Sequence, residues 1–348
     1  MEKTLSSRLQ KNNLYIIAEI GVNHEGDINQ AKKMVLAAKK GGAHAAKFQS
    51  YKAEKIAAED SPAYWDLEKE KTKSQFELFK KYDSFGQDEY KELAKYCQEV
   101  GIDFMSTPFD LEAAKFLNEL QSIIKIASAD ITNFPLLREV ASYNKPVILS
   151  TGCSKLEEIK MAVKELENHG ASEIALLHCI LNYPTLDNNA NLSMINSLRS
   201  EFPNHIIGYS DHTLPDDSMS ILNYAVVLGA KVIEKHFTLD KTLPGNDHYH
   251  SMDQNNLEVF SESSKRTMKI LGIKSKQPLD SELKSIKFAR RSLYYNKALK
   301  IGDTIKESDL ICLRPGTGIS PIEIDNVIGK IIIRETSQNT QVNAKDFK

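Results

Sequence analysis

The chain has 348 residues, 41% of them hydrophobic and 26% charged, and Lys+Arg 45 against Asp+Glu 47 gives a formal net charge of -2. That balance excludes wholesale disorder and a dedicated nucleic-acid binder, and the length suits one large domain with a small companion. Four separated cysteines (Cys97, Cys153, Cys179, Cys312) without a CxxC argue against a disulfide scaffold or a cysteine zinc site. With no apolar leader and no run of membrane length, a soluble cytoplasmic protein is expected, with no membrane and no nucleic-acid partner.

After a polar lead, Leu14 to Ile20 reads as a buried strand, followed by a turn-rich loop around Asn23 and Glu25 and a helical pattern from Ile28 to Lys40. The pattern then resets. Ala43 to Gln49 is a second strand, trailed by a long polar and aromatic link containing Tyr64, Trp65 and Phe79, then a helix from Glu89 to Val100. Further strands are expected at Ile102–Ser106, Ile123–Ile126, Pro146–Ser150, Ile174–His178, Ile206–Ser210 and Lys231–Lys235, most of them followed by helical spacing. Short Ile, Val and Leu runs between amphipathic helices indicate a parallel sheet covered on its outer face. Eight such units over roughly 270 residues have the size of a (β/α)8 TIM barrel. An open doubly wound sheet is the alternative, but the first strand is followed by no GxGxxG.

The rhythm breaks at Ile273–Pro278. The expected division is a catalytic barrel over 1–272, a linker over 273–282 and a small, mainly β module over 283–348, with strand-like pieces at Arg291–Tyr295, Ile311–Leu313 and Ile328–Ile333.

Nearly every expected strand ends in polar residues, which places a site on one face of the barrel. The endings are Glu19; Lys47 and Gln49; Ser106 and Thr107; Lys125 and Ser128; Ser150 and Thr151; His178 with Asn182 and Tyr183; Ser210, Asp211 and His212; and Glu234, Lys235 and His236. Lys47 and Lys125 sit among apolar residues, either as water-facing edge positions or as interior cations that must meet an anion. With hydroxyls at Thr107, Ser128, Ser150 and Ser210 they form a candidate phosphate or carboxylate cradle.

His212 and His236, on consecutive strand ends, are candidate ligands for a divalent metal, with carboxylates such as Glu19 or Asp247 in reach. Spacing does not choose among Mn²⁺, Mg²⁺ and Zn²⁺. His248 and His250 are alternative ligands or wall residues. Tyr64 and Trp65 are a lid or helix packing. Cys153, Cys179 and Cys312, near site elements, are expected to pack. Arg314-Pro315-Gly316 presents an arginine either to a carboxylate or carbonyl, or to solvent.

The ordered set Ala18-Glu19-Ile20-Gly21, Asn23-His24, Lys47-Phe48-Gln49, Ser106-Thr107-Pro108-Phe109, Ser150-Thr151-Gly152, Ser210-Asp211-His212-Thr213, Glu234-Lys235-His236-Phe237-Thr238 and Arg314-Pro315-Gly316 resembles the sialic acid (N-acetylneuraminate) synthase family, including legionaminic and pseudaminic acid synthases. The resemblance runs from about Leu14 to the C-terminus. It implies a TIM barrel followed by an antifreeze-like, or SAF, domain, in a homodimer where that domain crosses to the partner. It implies condensation of phosphoenolpyruvate with an open-chain N-acetylated mannose-type sugar, N-acetylmannosamine in the first instance or a 2,4-diacetamido-trideoxy hexose, to a nine-carbon 2-keto acid. His212 and His236 would bind the metal, usually Mn²⁺. Lys47, Thr107, Lys125, Ser128, Ser150 and Ser210 would hold phosphoenolpyruvate, and Asn182 stands near where the family offers a further polar contact. Glu19, Gln49, Tyr183, Asp247 and Arg314 would meet the sugar. Glu25 would lie near the reacting groups, Glu234 would support the metal site, and Arg314 would come from the other subunit. The family's Gly-Pro-Asp-His stretch is here Gly245-Asn246-Asp247-His248. A metal-dependent aldolase and a non-catalytic carbohydrate-binding protein are the competing readings.

Overall fold

The computed structural model describes residues 4–245 and 247–348. The chain divides into two compact units, Met1–Gly272 and Ile273–Lys348.

In the first unit eight parallel strands form one sheet: β1 (Tyr15–Gly21), β2 (Ala45–Ser50), β3 (Asp103–Pro108), β4 (Ile124–Ile126), β5 (Val147–Ser150), β6 (Ile174–Cys179), β7 (Ile206–Asp211) and β8 (Val232–His236). The ladder runs β3-β2-β1-β8-β7-β6-β5-β4, and β3 lies against β4 to bring the sheet round into a TIM-barrel-like form. Helices alternate with the strands, among them Ile28–Gly41, Gln87–Val100, Leu156–Asn168 and Gln254–Leu271. Asp27, Asp110 and Asp253 open three of them by accepting backbone N–H groups of the first turn, which would otherwise lack partners.

The site's position follows from the two-residue period of the strands. Ile16, Ala18 and Ile20 of β1 belong to the core between sheet and helices, whereas Tyr15 and Ile17 belong to the barrel interior. Glu19 continues the inward set. The same parity carries Ala45 to Lys47 on β2, Met105 to Thr107 on β3, Ile148 to Ser150 on β5, Leu177 to Cys179 on β6, and Val232 to Glu234 and His236 on β8. Each inward row is apolar at its start and polar at its carboxyl end. On β7 the row passes through Gly208, where a Cβ would lie 2.4 Å from the Val232 carbonyl oxygen and 2.4 Å from a Leu177 methyl. Only glycine lets the two neighbouring strands fill the interior there.

Three local departures from the sequence reading stand out. The polar lead is a helix, Leu5–Asn12, whose Leu5 joins the interior cluster and whose Arg8 donates to Asp103 at 2.6 Å. With two leucines and one buried cation its apolar stripe is too narrow to stand out as a helical pattern. The long link after β2 contains helices Ala53–Ile56 and Gln75–Tyr82. Two expected strand–strand intervals contain the short helices Met194–Glu201 and Ser220–Val227.

The second unit pairs β9 (Ser292–Tyr295) with β10 (Leu310–Leu313) in an antiparallel ladder around its own core of Leu293, Tyr295, Leu299, Ile305, Val327, Ile332 and Val342. Ile328–Ile333, expected as a strand, contributes isolated bridges from Ile331 and Ile332 instead. Helix Leu283–Ala289 precedes β9 within this unit.

Candidate active site

At the carboxyl ends of the strands the barrel opens into a cavity of about 570 Å³. Glu19, Lys47, Gln49, Thr107, Lys125, Ser128, Ser150, Tyr183, Ser210, His212, Glu234, His236 and Asp247 all line it. Two other expected site residues of this unit do not. Glu25, whose side chain is 49% exposed, lies 3.7 Å from the Nε2 of His248, which does line the cavity. Asn182 borders a second cavity of about 200 Å³ that shares Tyr64, Trp65, Leu181 and Tyr183 with the first. Arg314 belongs to the second unit, where it is exposed just after β10.

Both lysines are interior, not edge residues. Lys47 Nζ lies 2.6 Å from Glu19 Oε2 and donates to Thr107 Oγ1 at 3.2 Å. Lys125 Nζ donates to Ser150 Oγ at 2.8 Å and to the Ile126 carbonyl at 3.1 Å. Glu234 stands between the two cations, with Oε2 3.7 Å from Lys47 and Oε1 3.5 Å from Lys125, and accepts from Ser210 Oγ at 3.0 Å. Gln49 donates to the other Glu19 oxygen at 2.9 Å, and Ser128 Oγ accepts the Gly152 N–H at 2.9 Å.

Burial opposes every charge in this cluster, and the partners decide the outcome. Burial pushes the Glu19 carboxyl up to about 7, with Lys47 pulling against it. Burial also opposes the Glu234 charge, but Lys125 and Lys47 outweigh it and hold that carboxyl below its usual range. Burial lowers Lys125, whereas in Lys47 the neighbouring Glu19 and Glu234 overcome burial and raise it. The floor therefore sets two lysines against one carboxylate held ionised and one that takes up a proton near neutrality, which makes it receptive to an anion.

His212 and His236 come together, their ring centroids 5.4 Å apart. His212 Nδ1 is 2.8 Å from the Ile180 carbonyl, which can only accept, so Nδ1 carries the proton and Nε2 keeps a lone pair. Burial takes the His212 imidazole down to about 4 and holds His236 well below its ordinary value, so both are neutral at pH 7. His236 Nδ1 is buried without a hydrogen-bond partner and lies 3.7 Å from Asp247 Oδ2. Among the described residues no group of three or more His, Cys, Asp and Glu forms a closed metal cage. Two neutral imidazoles, one with its tautomer fixed by a carbonyl, fit an open site that would leave positions for other oxygen ligands.

Several contacts escaped the sequence reading. Behind the imidazoles, Lys235 and Asp211 point outward and form a buried pair, Nζ to Oδ2 at 2.6 Å. Tyr51, Ile56, Leu78, Phe79 and Phe109 give one side of the cavity an apolar lining. The aromatic link after β2 was the available signal for that wall, and Tyr64 and Trp65 from it line both cavities. Cys179, expected to pack, also reaches the cavity, with Sγ 3.9 Å from His212 Nδ1.

These features define the class: a (β/α)8 barrel followed by an SAF domain, with an anion-receptive, imidazole-bearing pocket at the carboxyl ends of the strands. The NeuB family model matches residues 34–276 and the SAF domain model residues 290–348. N,N'-diacetyllegionaminic acid synthase of Legionella pneumophila is 40% identical over 333 residues, 94% of this chain and 92% of its own length. The protein of the same name from Campylobacter jejuni is 40% identical, covering 93% of this chain and 97% of its own. Among solved structures, N-acetylneuraminic acid synthetase from Leptospira borgpetersenii, in complex with citrate, superposes with a TM-score of 0.70 at 37% identity, over 78% of this chain and 90% of that one. The chain belongs to the NeuB family, that of the sialic acid synthases.

Proposed function

We propose that this protein condenses phosphoenolpyruvate with the open-chain aldehyde of a 2-acetamido hexose, forming a nine-carbon 2-keto acid and releasing phosphate. The observation that carries the reading is the pair of buried lysines sharing one carboxylate, Glu234, beside two neutral imidazoles in the same cavity. A metal-dependent aldolase would not require two interior cations for a phosphorylated enol substrate. Lys47 and Lys125, with Thr107, Ser128, Ser150 and Ser210, balance the phosphate and carboxylate charges and orient C3 of phosphoenolpyruvate toward the aldehyde. C3 attacks the aldehyde carbon, whose oxygen takes a proton from water. Water adds at the C2 cation so formed, and Glu234, ionised between the lysines, takes the proton that this water loses. The bond between C2 and the phosphate oxygen then breaks, the C2 hydroxyl proton passes to the departing phosphate, and the ketone and inorganic phosphate result.

Glu25 acts from the rim through His248, and Glu19, Gln49, Tyr183 and Asp247 hold the sugar. His212 and His236 would hold a divalent ion, Mn²⁺ in the first instance, which when bound supplies Lewis-acid polarisation of the aldehyde. Asn182, bordering the smaller cavity, is assigned a supporting contact. We further propose a cytoplasmic homodimer in which Arg314 reaches the sugar across the dimer. Among the described residues no helix is long and apolar enough to cross a membrane.

Two observations favour a 2,4-diacetamido-2,4,6-trideoxy hexose as acceptor: the names of the two relatives at 40% identity, and the apolar lining of Ile56, Leu78, Phe79 and Phe109, which suits a methyl group at C6. The name of the Leptospira structure keeps N-acetylmannosamine as the second reading. Purified protein with Mn²⁺ and phosphoenolpyruvate, incubated with 2-acetamido and 2,4-diacetamido sugars, should release phosphate and form the 2-keto acid in equal amounts, fastest with the diacetamido sugar. No turnover across the panel would sink the synthase reading.

A further inference from the structure

His250 is wholly buried, yet neither of its ring nitrogens has a hydrogen-bond partner. In either neutral tautomer an imidazole carries one N–H, and buried donors left unpaired are rare enough to call for a cause. Its surroundings leave little choice of partner. The rings of His236, Tyr249 and Tyr183 stand at centroid distances of 5.0, 5.2 and 5.4 Å, and Asp247 Oδ1 lies 3.7 Å from Nε2. The other Asp247 oxygen, Oδ2, lies 3.7 Å from His236 Nδ1. The turn that carries these residues is pinned: Tyr249 donates to the Tyr183 carbonyl at 2.6 Å, and Asn23 donates to Ser251 Oγ at 3.2 Å.

We propose that His250 is a positioning residue for Asp247: its Nε2–H and the His236 imidazole bracket the carboxylate, one nitrogen toward each oxygen, and so fix the direction in which Asp247 faces the sugar. At 3.7 Å neither contact is yet a hydrogen bond. A shift of about 0.8 Å in the carboxylate or the rings brings both to normal length. The bracket also orients His236, because an Nδ1–H turned to Asp247 leaves its Nε2 lone pair for an ion.

The inference rests on the reading of this pocket as a condensing site for phosphoenolpyruvate and a sugar, and the test separates the two. Wild type, His250→Phe and His250→Gln are compared, the first variant filling the volume without a donor and the second returning an amide nitrogen near the Nε2 position. His250→Phe should lower kcat/KM for the sugar at least about tenfold while the KM for phosphoenolpyruvate moves less than about threefold, and His250→Gln should recover most of the loss. Mn²⁺ affinity, read by electron paramagnetic resonance, should change less than about threefold, since both proposed ligands remain. Equal losses in every constant, no loss, or a hundredfold weaker Mn²⁺ complex would overturn the positioning role. Independently of turnover, nitrogen-15 spectra of the histidines should show His250 protonated at Nε2, with that proton shifting in Asp247→Asn. An Nδ1–H tautomer refutes the bracket even if no sugar in the panel is a substrate, whereas a correct tautomer without turnover indicts the functional reading alone.

Discussion

Replacing Lys235 with Met tests how the strand ends that carry the two imidazoles are held. Lys235 of β8 and Asp211 of β7 are register partners, both point away from the barrel interior, and their side chains are 0% and 1% exposed. Nζ also donates to the Thr213 carbonyl at 2.6 Å. Asp211 in turn accepts from the Tyr209 hydroxyl at 2.8 Å and from the Thr213 N–H and hydroxyl, each at 3.0 Å. Methionine keeps most of the volume but strands a buried carboxylate and a carbonyl. Breaking one side of a buried pair costs about 3–5 kcal/mol, and the three surviving donors to Asp211 place this case toward the lower end. At roughly 2 °C or more per kcal/mol for a unit of this size, the melting temperature should fall by about 6 °C or more. The double variant Asp211→Asn/Lys235→Met should lose less than the sum of the two single changes by about 1–3 kcal/mol.

Burial pushes the Asp211 carboxyl up, but Lys235 and the hydrogen bonds outweigh it and leave it below the usual range. Such a group contributes stability that is present above its unfolded value near 3.9 and is lost as pH falls through its lower folded value. In Lys235→Met that counterweight is gone and burial acts to raise the carboxyl, so the penalty should be greatest near neutral pH and shrink as acid protonates the stranded Asp211 of the variant. Thermal melts monitored by circular dichroism measure both effects. A loss below about 1 kcal/mol at pH 7, or strictly additive single and double variants, would refute the reasoning.

His236→Ala should abolish Mn²⁺ binding and turnover while leaving the far-ultraviolet circular dichroism unchanged; retained turnover would remove His236 from the ligand set. In acid, burial takes His24 and His44 down to about 4, and each accepts a backbone N–H at Nδ1, from Gly26 at 3.1 Å and Ile16 at 3.0 Å. The unfolded chain binds these protons first, so stability should fall as pH drops from about 6.5 to about 4. The slope of melting temperature against pH should be shallower in His44→Gln, and an equal slope would count against the assignment. Mixing Arg314→Ala subunits with His236→Ala subunits should restore some activity if Arg314 serves the neighbouring site, and verified mixed dimers without activity would exclude that arrangement.

The barrel and its chemical face were legible because a parallel strand covered on both sides must be apolar along its length, so a lysine, glutamate or histidine at its end is conspicuous. Lys47, Lys125, Glu234, His212 and His236 were singled out in that way, and the resemblance gave Asp247 and Tyr183, on the loops beyond the strands, their expected place at the sugar. What the sequence by itself determined was thus which residues end the strands and, through the ordered motifs, the family. Tertiary structure decided which of them face one another. The inward row places Glu234 between lysines from β2 and β4, while one position along β8 Lys235 turns outward to Asp211. Glu25 stays at the rim and Asn182 at the smaller cavity, although both sit as close in sequence to a strand end as residues that line the main pocket. His248 and His250 are two residues apart, yet one lines the cavity and the other is wholly buried beside Asp247. The physical reason is that side-chain direction depends on strand parity, loop path and ring closure. These bring together groups as distant in sequence as Lys47 and Glu234, and no local pattern encodes that meeting.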